Sequence, residues 1–335
     1  MVTVLMPVYN AEPYLKEAIQ SIIDQTFTDY KFVIINDGSS DNSEDVIKGF
    51  KDERISYIKH ETNTGLINTL NEGLDLAQSK YIIRMDADDI SIPERFEKQV
   101  SFMESNPEID ICGAWLSVIN TNQIITHPVT NEECKVQLLQ NTVLGHPAAI
   151  LRRELIVKNN LKFDKNALYA EDYKFWADAS INGLKLANIP EILLHYRAHK
   201  AQVSTSNWES QLQSAENIKL WYAKYFFSDL LENKLKLYSD FINRSINSFT
   251  DFIEVRKLVK QLKGENHLRN YFDPQIFENF LDNLVRIAST RIYVLCIDCN
   301  TGILLKSIFD RDFYVSTSMF QKAKFIFRSL QNTLS

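Results

Sequence analysis

The chain opens on an apolar run, "VTVLMPV" at residues 2–8, with none of the alternation of a half-exposed strand. That pattern belongs to a strand buried on both faces. Tyr14, Leu15, Ala18, Ile19, Ile22 and Ile23 then recur at helical spacing. The same rhythm repeats. "KFVIIND" (31–37) predicts a second strand and Ser43–Phe50 a helix; "ISYIK" (55–59) predicts a third strand, and Leu66, Leu70, Leu74 and Ala77 form the stripe of the helix after it. "YIIRMD" (81–86) predicts a fourth strand, with Pro93 as the first residue of a helix through about Ser105. Strands alternating with helices over short links predict an α/β domain with a mainly parallel sheet. After Asp110 the rhythm loosens into shorter strands, with helices expected near 131–140 and 172–182.

Beyond Ser204 the punctuation nearly vanishes. Residues 1–204 hold seven of the nine glycines and seven of the eight prolines, and carry 20 Lys+Arg against 29 Asp+Glu. Residues 205–335 carry 17 against 14, and Trp208, Leu212, Ala215, Ile218 and Tyr222 keep a helical period. Further helices are expected around 230–245, 251–263, 275–298 and 316–331. The predicted organisation is therefore an α/β domain over 1–204 followed by an α-helical region over 205–335.

Composition narrows the function. Of the 335 residues 45% are apolar and 24% charged, which is ordinary for a globular chain. A formal net charge of −6 argues against a protein that blankets nucleic-acid phosphates. Cys112 and Cys134 have no motif around them, and the CxxC at Cys296 and Cys299 has no second pair to complete a zinc site. No apolar run approaches the ~20 residues that a membrane-crossing helix needs, and the chain starts inside its first strand without a basic leader. These features lead us to expect a cytoplasmic, soluble protein with reduced cysteines.

In open parallel sheets, ligands bind at the carboxyl ends of the strands. The four predicted strands end in or run into "PVYNAEPYL", "NDGSSDNS", "ETNTG" and "RMDADD", a polar rim of Asp, Asn, Gly and Ser. Helix capping accounts equally well for Asn10, Ser40 and Asn63. It does not account for Asp86, Asp88 and Asp89, three carboxylates in four positions, which repel one another unless a cation compensates. An EF-hand loop counted from Asp86 puts Ile90 and Ser91 where an oxygen ligand and a glycine belong, so it fails. No GxGxxG follows the first strand, so a dinucleotide fingerprint fails too. What remains is a hard divalent cation held by one or two carboxylates and by phosphate oxygens of a ligand.

"MPVYNAEPYL", "INDGSSDNS", "NTG" and "RMDADDISIPERFEKQ", in that order, resemble a family 2 glycosyltransferase with the GT-A fold, over about residues 1–204. The resemblance implies an inverting transferase that moves a sugar from a nucleotide diphosphate-sugar, usually a UDP-sugar, to an acceptor hydroxyl, with Mn²⁺ or Mg²⁺ at the DxD. Carried over, Pro7, Val8, Tyr9, Asn10 and Asn63 line the nucleotide pocket and Asp37 accepts a hydrogen bond from the uracil ring. Arg84 and Asp86 approach the donor, and Asp88 binds the metal. "YAEDYKFW" (169–176) is similar to the family's Glu-Asp pair, making Asp172 the base that takes the acceptor proton and Glu171 its neighbour. "LLHYRAHKAQVS" (193–204) matches a segment that closes over the diphosphate, with Arg197 on phosphate and His199 on phosphate or metal, while His195 reads as structural. "GHPAAILRRE" (145–154) makes His146 an acceptor-side candidate. The Gln-x-x-Arg-Trp signature of processive members is absent, which implies single additions to a glycan or lipid-linked acceptor in polysaccharide or glycoconjugate biosynthesis. Two other classes compete: a metal-dependent nucleotidyltransferase, which would carry a Gly-rich basic loop after strand one, and a non-catalytic nucleotide-sugar-binding module, which would not need Asp172. The basic tail, with "MFQKAKFIFRSL" at 319–330, suits packing against helices or a second subunit, or contact with an anionic membrane surface.

Overall fold

The structure, a computed structural model, describes residues 1–199 and 207–295. It divides into two compact units, Met1–Ile218 and Lys219–Ser335. The predicted helix at 316–331, with its basic apolar segment, and Cys296 and Cys299 lie outside the described residues.

In the first unit β1 (Val2–Val8), β2 (Tyr30–Asn36), β3 (Ile55–Lys59) and β4 (Tyr81–Arg84) stand where the apolar runs predict them. They lie in the order β3-β2-β1-β4 with every neighbour parallel. β1 is buried along its whole length and β2 at every position but Lys31, whereas β3, at the sheet edge, is only half-buried. The connecting helices α1 (Glu12–Ile23), α2 (Ser43–Gly49) and α3 (Leu66–Leu76) bury one stripe each; in α1 it is Leu15, Ala18, Ile19 and Ile22. The core between β1 and these helices includes Val4, Met6, Phe32, Ile34, Ile83 and Phe96.

The second half of the sheet is mixed. β8 (Ile150–Arg152) runs antiparallel between β4 and β6 (Ile111–Val118), and β9 (Leu186–Tyr196) lies parallel to β6 on its other side. The short β7 (Ile124–Ile125) pairs with β6, and β5 (Ile90–Ser91) pairs antiparallel with the end of β9. The β6–β9 register slips where Ala114 faces Ile189 but Trp115 faces Ile192. Pro190 lies in that skipped stretch, and its missing N–H cannot serve the ladder, so the strand bulges there. The bulge sets the register that carries Tyr196, and the chain after it, toward the end of β4. Three helices flank this half: α4 (Arg95–Ser105), α5 (Asn131–Gln137) and α6 (Arg153–Lys158). α4 starts two residues later than Pro93 predicts. The Pro93 carbonyl accepts the Thr26 N–H (2.9 Å), and Glu94 occupies the cap position. α5 stops at Gln137, short of the expected 140, and opens on a capping box between Thr130 and Glu133. α7 (Glu171–Ile181) completes the domain.

α8 (Trp208–Leu231) spans the division between the units. α9 (Leu235–Ile242), α10 (Phe249–Arg269) and α11 (Pro274–Leu295) form the described part of the second unit. Phe227, Phe272 and Phe277 stack within it at centroid separations of 5.0–6.0 Å. α10 begins at Ser248, whose side chain accepts the Asp251 N–H, and ends at Asn270 in the left-handed conformation. No described helix is long and apolar enough to cross a membrane.

The loops after β2 and β3 touch at Gly38, whose φ is +67°. A Cβ there would come within 2.6 Å of the backbone of Thr62 and Asn63. Gly38→Ala is therefore expected to destabilise the protein by roughly 1–3 kcal/mol, from the left-handed strain and the clash together. A urea titration with an unchanged midpoint would refute the close approach.

Candidate active site

The carboxyl ends of β1 and β2 are laced together by short polar side chains. Asn10, at φ +48°, accepts the Ser40 N–H (2.8 Å) through its side-chain oxygen and donates its own N–H to Ser39 Oγ (3.0 Å). Asp41 Oδ2 accepts the Glu12 N–H at 3.0 Å, so the N-terminus of α1 is capped from the neighbouring loop. Tyr9, 53% exposed, stands on this rim above the buried Val8, and Pro7 lies within β1. Capping explains part of this rim, as the residue types suggest.

Asp37, at the end of β2, is 3% exposed. Its Oδ1 accepts from the Thr64 N–H (2.8 Å), Thr64 Oγ1 (2.8 Å) and His60 Nδ1 (2.7 Å); its Oδ2 accepts the Gly65 N–H (2.8 Å). Burial alone would raise its pKa, but the bonds from His60, Thr64 and Gly65 outweigh that and hold it below the usual carboxylate value. His60 Nε2 meets Glu72 Oε2 at 2.8 Å on its far side. Asn63, in the same loop, is exposed. Sequence reading missed His60 and Glu72, although His60 directly follows β3, where the strand-end rule points.

At the end of β4, Asp86, Asp88 and Asp89 bring carboxylate oxygens within 4.8 Å of one another. Arg84, almost fully buried, forms an ion pair with Asp86. Asp88 Oδ2 meets His199 Nε2 at 2.9 Å, and its backbone carbonyl accepts Arg197 Nε–H at 2.7 Å. Asp89 is fully buried; its Oδ1 accepts the Arg197 N–H (2.8 Å), while its Oδ2 has no hydrogen-bond partner. Burial, then repulsion from Asp86, raises the pKa of Asp88, and burial with both neighbouring acids pushes Asp89 well above the usual range. Beneath the cluster lies Arg95, with no exposed surface; its Nη2 donates to the Arg84 carbonyl (2.8 Å) and its Nε to Gln99 (3.0 Å). Burial lowers its pKa to about 9. The Arg197 guanidinium stacks 4.7 Å over Tyr14 and pairs with Glu17 at 2.6 Å. Arg84, Asp86, Asp88, Arg197 and His199 thus converge, although 111 positions separate Asp88 from His199 in sequence. His195 bonds to Ser117 (2.6 Å) within the sheet, the structural place expected of it.

Glu171 and Asp172 open α7. Burial raises Asp172 to about 6, with Asp86 pushing in the same direction and Arg84 and the Tyr173 N–H opposing. Burial and then Asp172 raise Glu171 to about 7. The pair therefore feels the charges at the end of β4. Tyr169, two residues before Glu171, holds φ at +66°, and its carbonyl accepts from Gln211 of α8 at 3.1 Å. His146 packs its ring against Phe163 and edge-on to Trp176 (6.1 Å), with Nε2 buried and without a hydrogen bond, and burial keeps the ring neutral.

A parallel 3-2-1-4 half-sheet with an acid cluster at the β4 end and a desolvated Glu-Asp pair at a helix start has relatives. Residues 3–159 match the family described as glycosyl transferase family 2. An uncharacterized glycosyltransferase of Haemophilus influenzae is 37% identical over 247 residues, covering 69% of this chain and 75% of that protein. The chain belongs to glycosyltransferase family 2. Another relative of this glycosyltransferase, the UDP-Glc:alpha-D-GlcNAc-diphosphoundecaprenol beta-1,3-glucosyltransferase WfgD of Escherichia coli, is 28% identical over 211 residues, covering 62% of this chain and 81% of that one. Among solved structures, S. aureus TarS 1–349 in complex with UDP-GlcNAc aligns with a TM-score of 0.57 at 16% identity, covering 88% of this chain and 92% of that one. A longer TarS chain is matched over 53% of its length. The mannosyltransferase PcManGT from Pyrobaculum calidifontis, in complex with GDP-Man and Mn²⁺, aligns with a TM-score of 0.53 at 14% identity, covering 88% and 87%. These structural likenesses establish the GT-A fold.

The donor set of this glycosyltransferase fits a hard divalent cation. It offers carboxylate oxygens and one imidazole, and Asp89 Oδ2 is a buried acceptor with no partner among the described residues.

The raised carboxyl pKa values have a consequence for stability. A buried carboxyl with a folded-state pKa of about 6 is ionised at pH 8 at a cost of on the order of 2–3 kcal/mol relative to the unfolded chain. That cost is complete above the folded pKa and fades as pH falls toward the ordinary carboxylate value. Asp172→Asn is therefore expected to raise Tm at pH 8 by roughly 5 °C, and by progressively less toward pH 4. A Tm difference that does not change with pH would contradict the burial of this carboxylate.

Proposed function

We propose that this glycosyltransferase is an inverting, single-addition enzyme. It transfers a sugar from a UDP-sugar to a hydroxyl of a glycan or lipid-linked acceptor in polysaccharide or glycoconjugate biosynthesis, with Mn²⁺ or Mg²⁺ held by Asp88 and His199. The observation that carries the reading is the Glu171–Asp172 pair, desolvated and within electrostatic reach of Arg84 and Asp86. The names of the relatives support the donor class: UDP-Glc in WfgD, UDP-GlcNAc with TarS, and GDP-Man with Mn²⁺ in PcManGT.

In this reading Asp37 accepts from the uracil ring, with Pro7, Val8, Tyr9, Asn10 and Asn63 around the nucleoside. Arg84 and Asp86 face the ribose or the sugar. A divalent cation at Asp88 and His199 supplies charge neutralisation for the departing diphosphate. Arg197 turns its guanidinium from Glu17 to the phosphates. Asp172 is ionised at neutral pH yet basic enough, with its pKa near 6, to take the acceptor proton as the oxygen attacks the anomeric carbon. Glu171 beside it is raised further, to about 7, by burial and by the charge of Asp172. His146 is buried, so it shapes the acceptor side through Trp176 rather than by touching the acceptor. A nucleotidyltransferase or a passive binding module would leave the buried pair without a task.

Two measurements test the scheme. With Mn²⁺, UDP should raise the Tm of the wild type far more than UDP with EDTA does, and Asp88→Ala should erase the difference; equal stabilisation with and without metal would remove Asp88 as a ligand. Transfer should fall on the acid side with an apparent pKa near 6, and Asp172→Asn should cut turnover by roughly 10²–10⁴-fold at little cost in UDP affinity. Near-normal turnover in that variant would move the base elsewhere, to Glu171 first.

A further inference from the structure

His60, which directly follows β3, lies between two carboxylates. Its Nδ1 is 2.7 Å from Asp37 Oδ1 and its Nε2 2.8 Å from Glu72 Oε2. A neutral imidazole has one N–H and one lone pair, so it can serve only one of two carboxylates; an imidazolium donates to both. The other groups around it do not change that count. The Thr64 hydroxyl lies 3.4 Å from Nδ1, Lys59 pairs with Glu44 at 2.8 Å, and Glu61 is exposed. Asp37 and then Glu72 hold the ring above the ordinary histidine pKa against partial burial.

The bonds on Asp37 are unevenly shared. Three donors, including His60, fall on Oδ1, whereas Oδ2 has the Gly65 N–H alone. A carboxylate oxygen accepts at least two hydrogen bonds, so Oδ2 keeps acceptor capacity. We infer that protonated His60, backed by Glu72, is a positioning residue that locks Asp37 as an acceptor-only group, so that the site takes a nucleobase edge presenting an N–H, as uracil does. The inference rests on the proposed reading that Asp37 faces the base of the donor. Loss of the His60 proton leaves one carboxylate facing a lone pair; in the tautomer that keeps the proton on Nε2 that carboxylate is Asp37, whose Oδ1 then retains only the two Thr64 donors and holds the base more weakly. The control is absent from the sugar-transfer step itself, which involves other residues.

Uridine with EDTA is the probe, because it carries no phosphate to titrate and needs no metal. Its affinity, measured by NMR titration, should fall about tenfold between about pH 6 and about pH 8.5 as His60 deprotonates. Nitrogen-15 spectra should show both His60 ring nitrogens protonated at the lower end. Glu72→Gln should move the midpoint to lower pH, and His60→Gln should bind uridine weakly with no dependence on pH. In turnover assays, His60→Gln should raise KM for the UDP-sugar and leave kcat nearly unchanged. A wild-type affinity that is flat with pH overturns the inference, as does a His60→Gln variant that keeps the wild-type slope, or a wild-type ring with one nitrogen unprotonated throughout. The underlying reading fails separately: if Asp37→Asn binds uridine as the wild type does at every pH, Asp37 does not face the base at all.

Discussion

Three carboxylates crowded at the end of a buried strand are the constraint around which the catalytic unit is arranged. Repulsion among Asp86, Asp88 and Asp89 would unravel the end of β4 without nearby positive charge. The chain supplies it from distant places: Arg84 from the strand itself, Arg95 from beneath, and Arg197 from the segment after β9, where His199 also meets Asp88. These contacts also tie the sheet together. Asp89 is bonded to the backbone of Arg197, so the edge pairing of β5 with β9 and the acid cluster reinforce each other. A buried ion stripped of its partners costs several kcal/mol. The residues of the candidate site therefore also fix the course of the chain around it.

Local features of this arrangement were legible in the sequence, and long-range ones were not. The unbroken apolar runs announced β1, β2 and β4, because burial on both faces leaves no alternation to misread. The acid cluster announced itself because no cap needs three acids. The Glu-Asp pair was legible only through likeness to a family, since an acidic residue at a helix start has an ordinary use. The insertion of antiparallel β8 between β4 and β6 leaves no local trace, because strand order depends on which edges meet in space. Pro93 misled by two residues because its carbonyl serves the Thr26 loop. Arg95 reads as a surface helix residue, and only the fold reveals that it lies under the acid cluster without exposed surface.

The Glu171–Asp172 pair illustrates the tension between stability and chemistry. Both carboxyls are desolvated, and the charge of Asp172 makes Glu171 harder still to ionise. A fold selected for stability alone would place amides or apolar groups there. Tyr169 carries a second cost in the same turn, since a bulky side chain at φ +66° sits in a sparsely populated region. Two unfavourable features within four residues of one another mark a segment shaped by what it must do to a substrate.

The acids along this sheet edge divide into two kinds, and the division follows from what surrounds them. Asp37 receives four hydrogen-bond donors and is held in its charged form before any ligand arrives. Asp88, Asp89, Glu171 and Asp172 are desolvated with too few donors, and their pKa values are raised. A carboxylate so well supplied suits recognition, because its geometry is fixed and its charge is already balanced, so an uncharged N–H can bind at its remaining lone pair without competing for a cation. Starved carboxylates suit the opposite task. They gain most from an incoming positive charge or a transferable proton, and they release that gain only when a cation or an acceptor hydroxyl is present. The same residue type is thus prepared for recognition at one end of the rim and for cation or proton exchange at the other in the proposed scheme, and the supply of neighbouring N–H groups makes the difference.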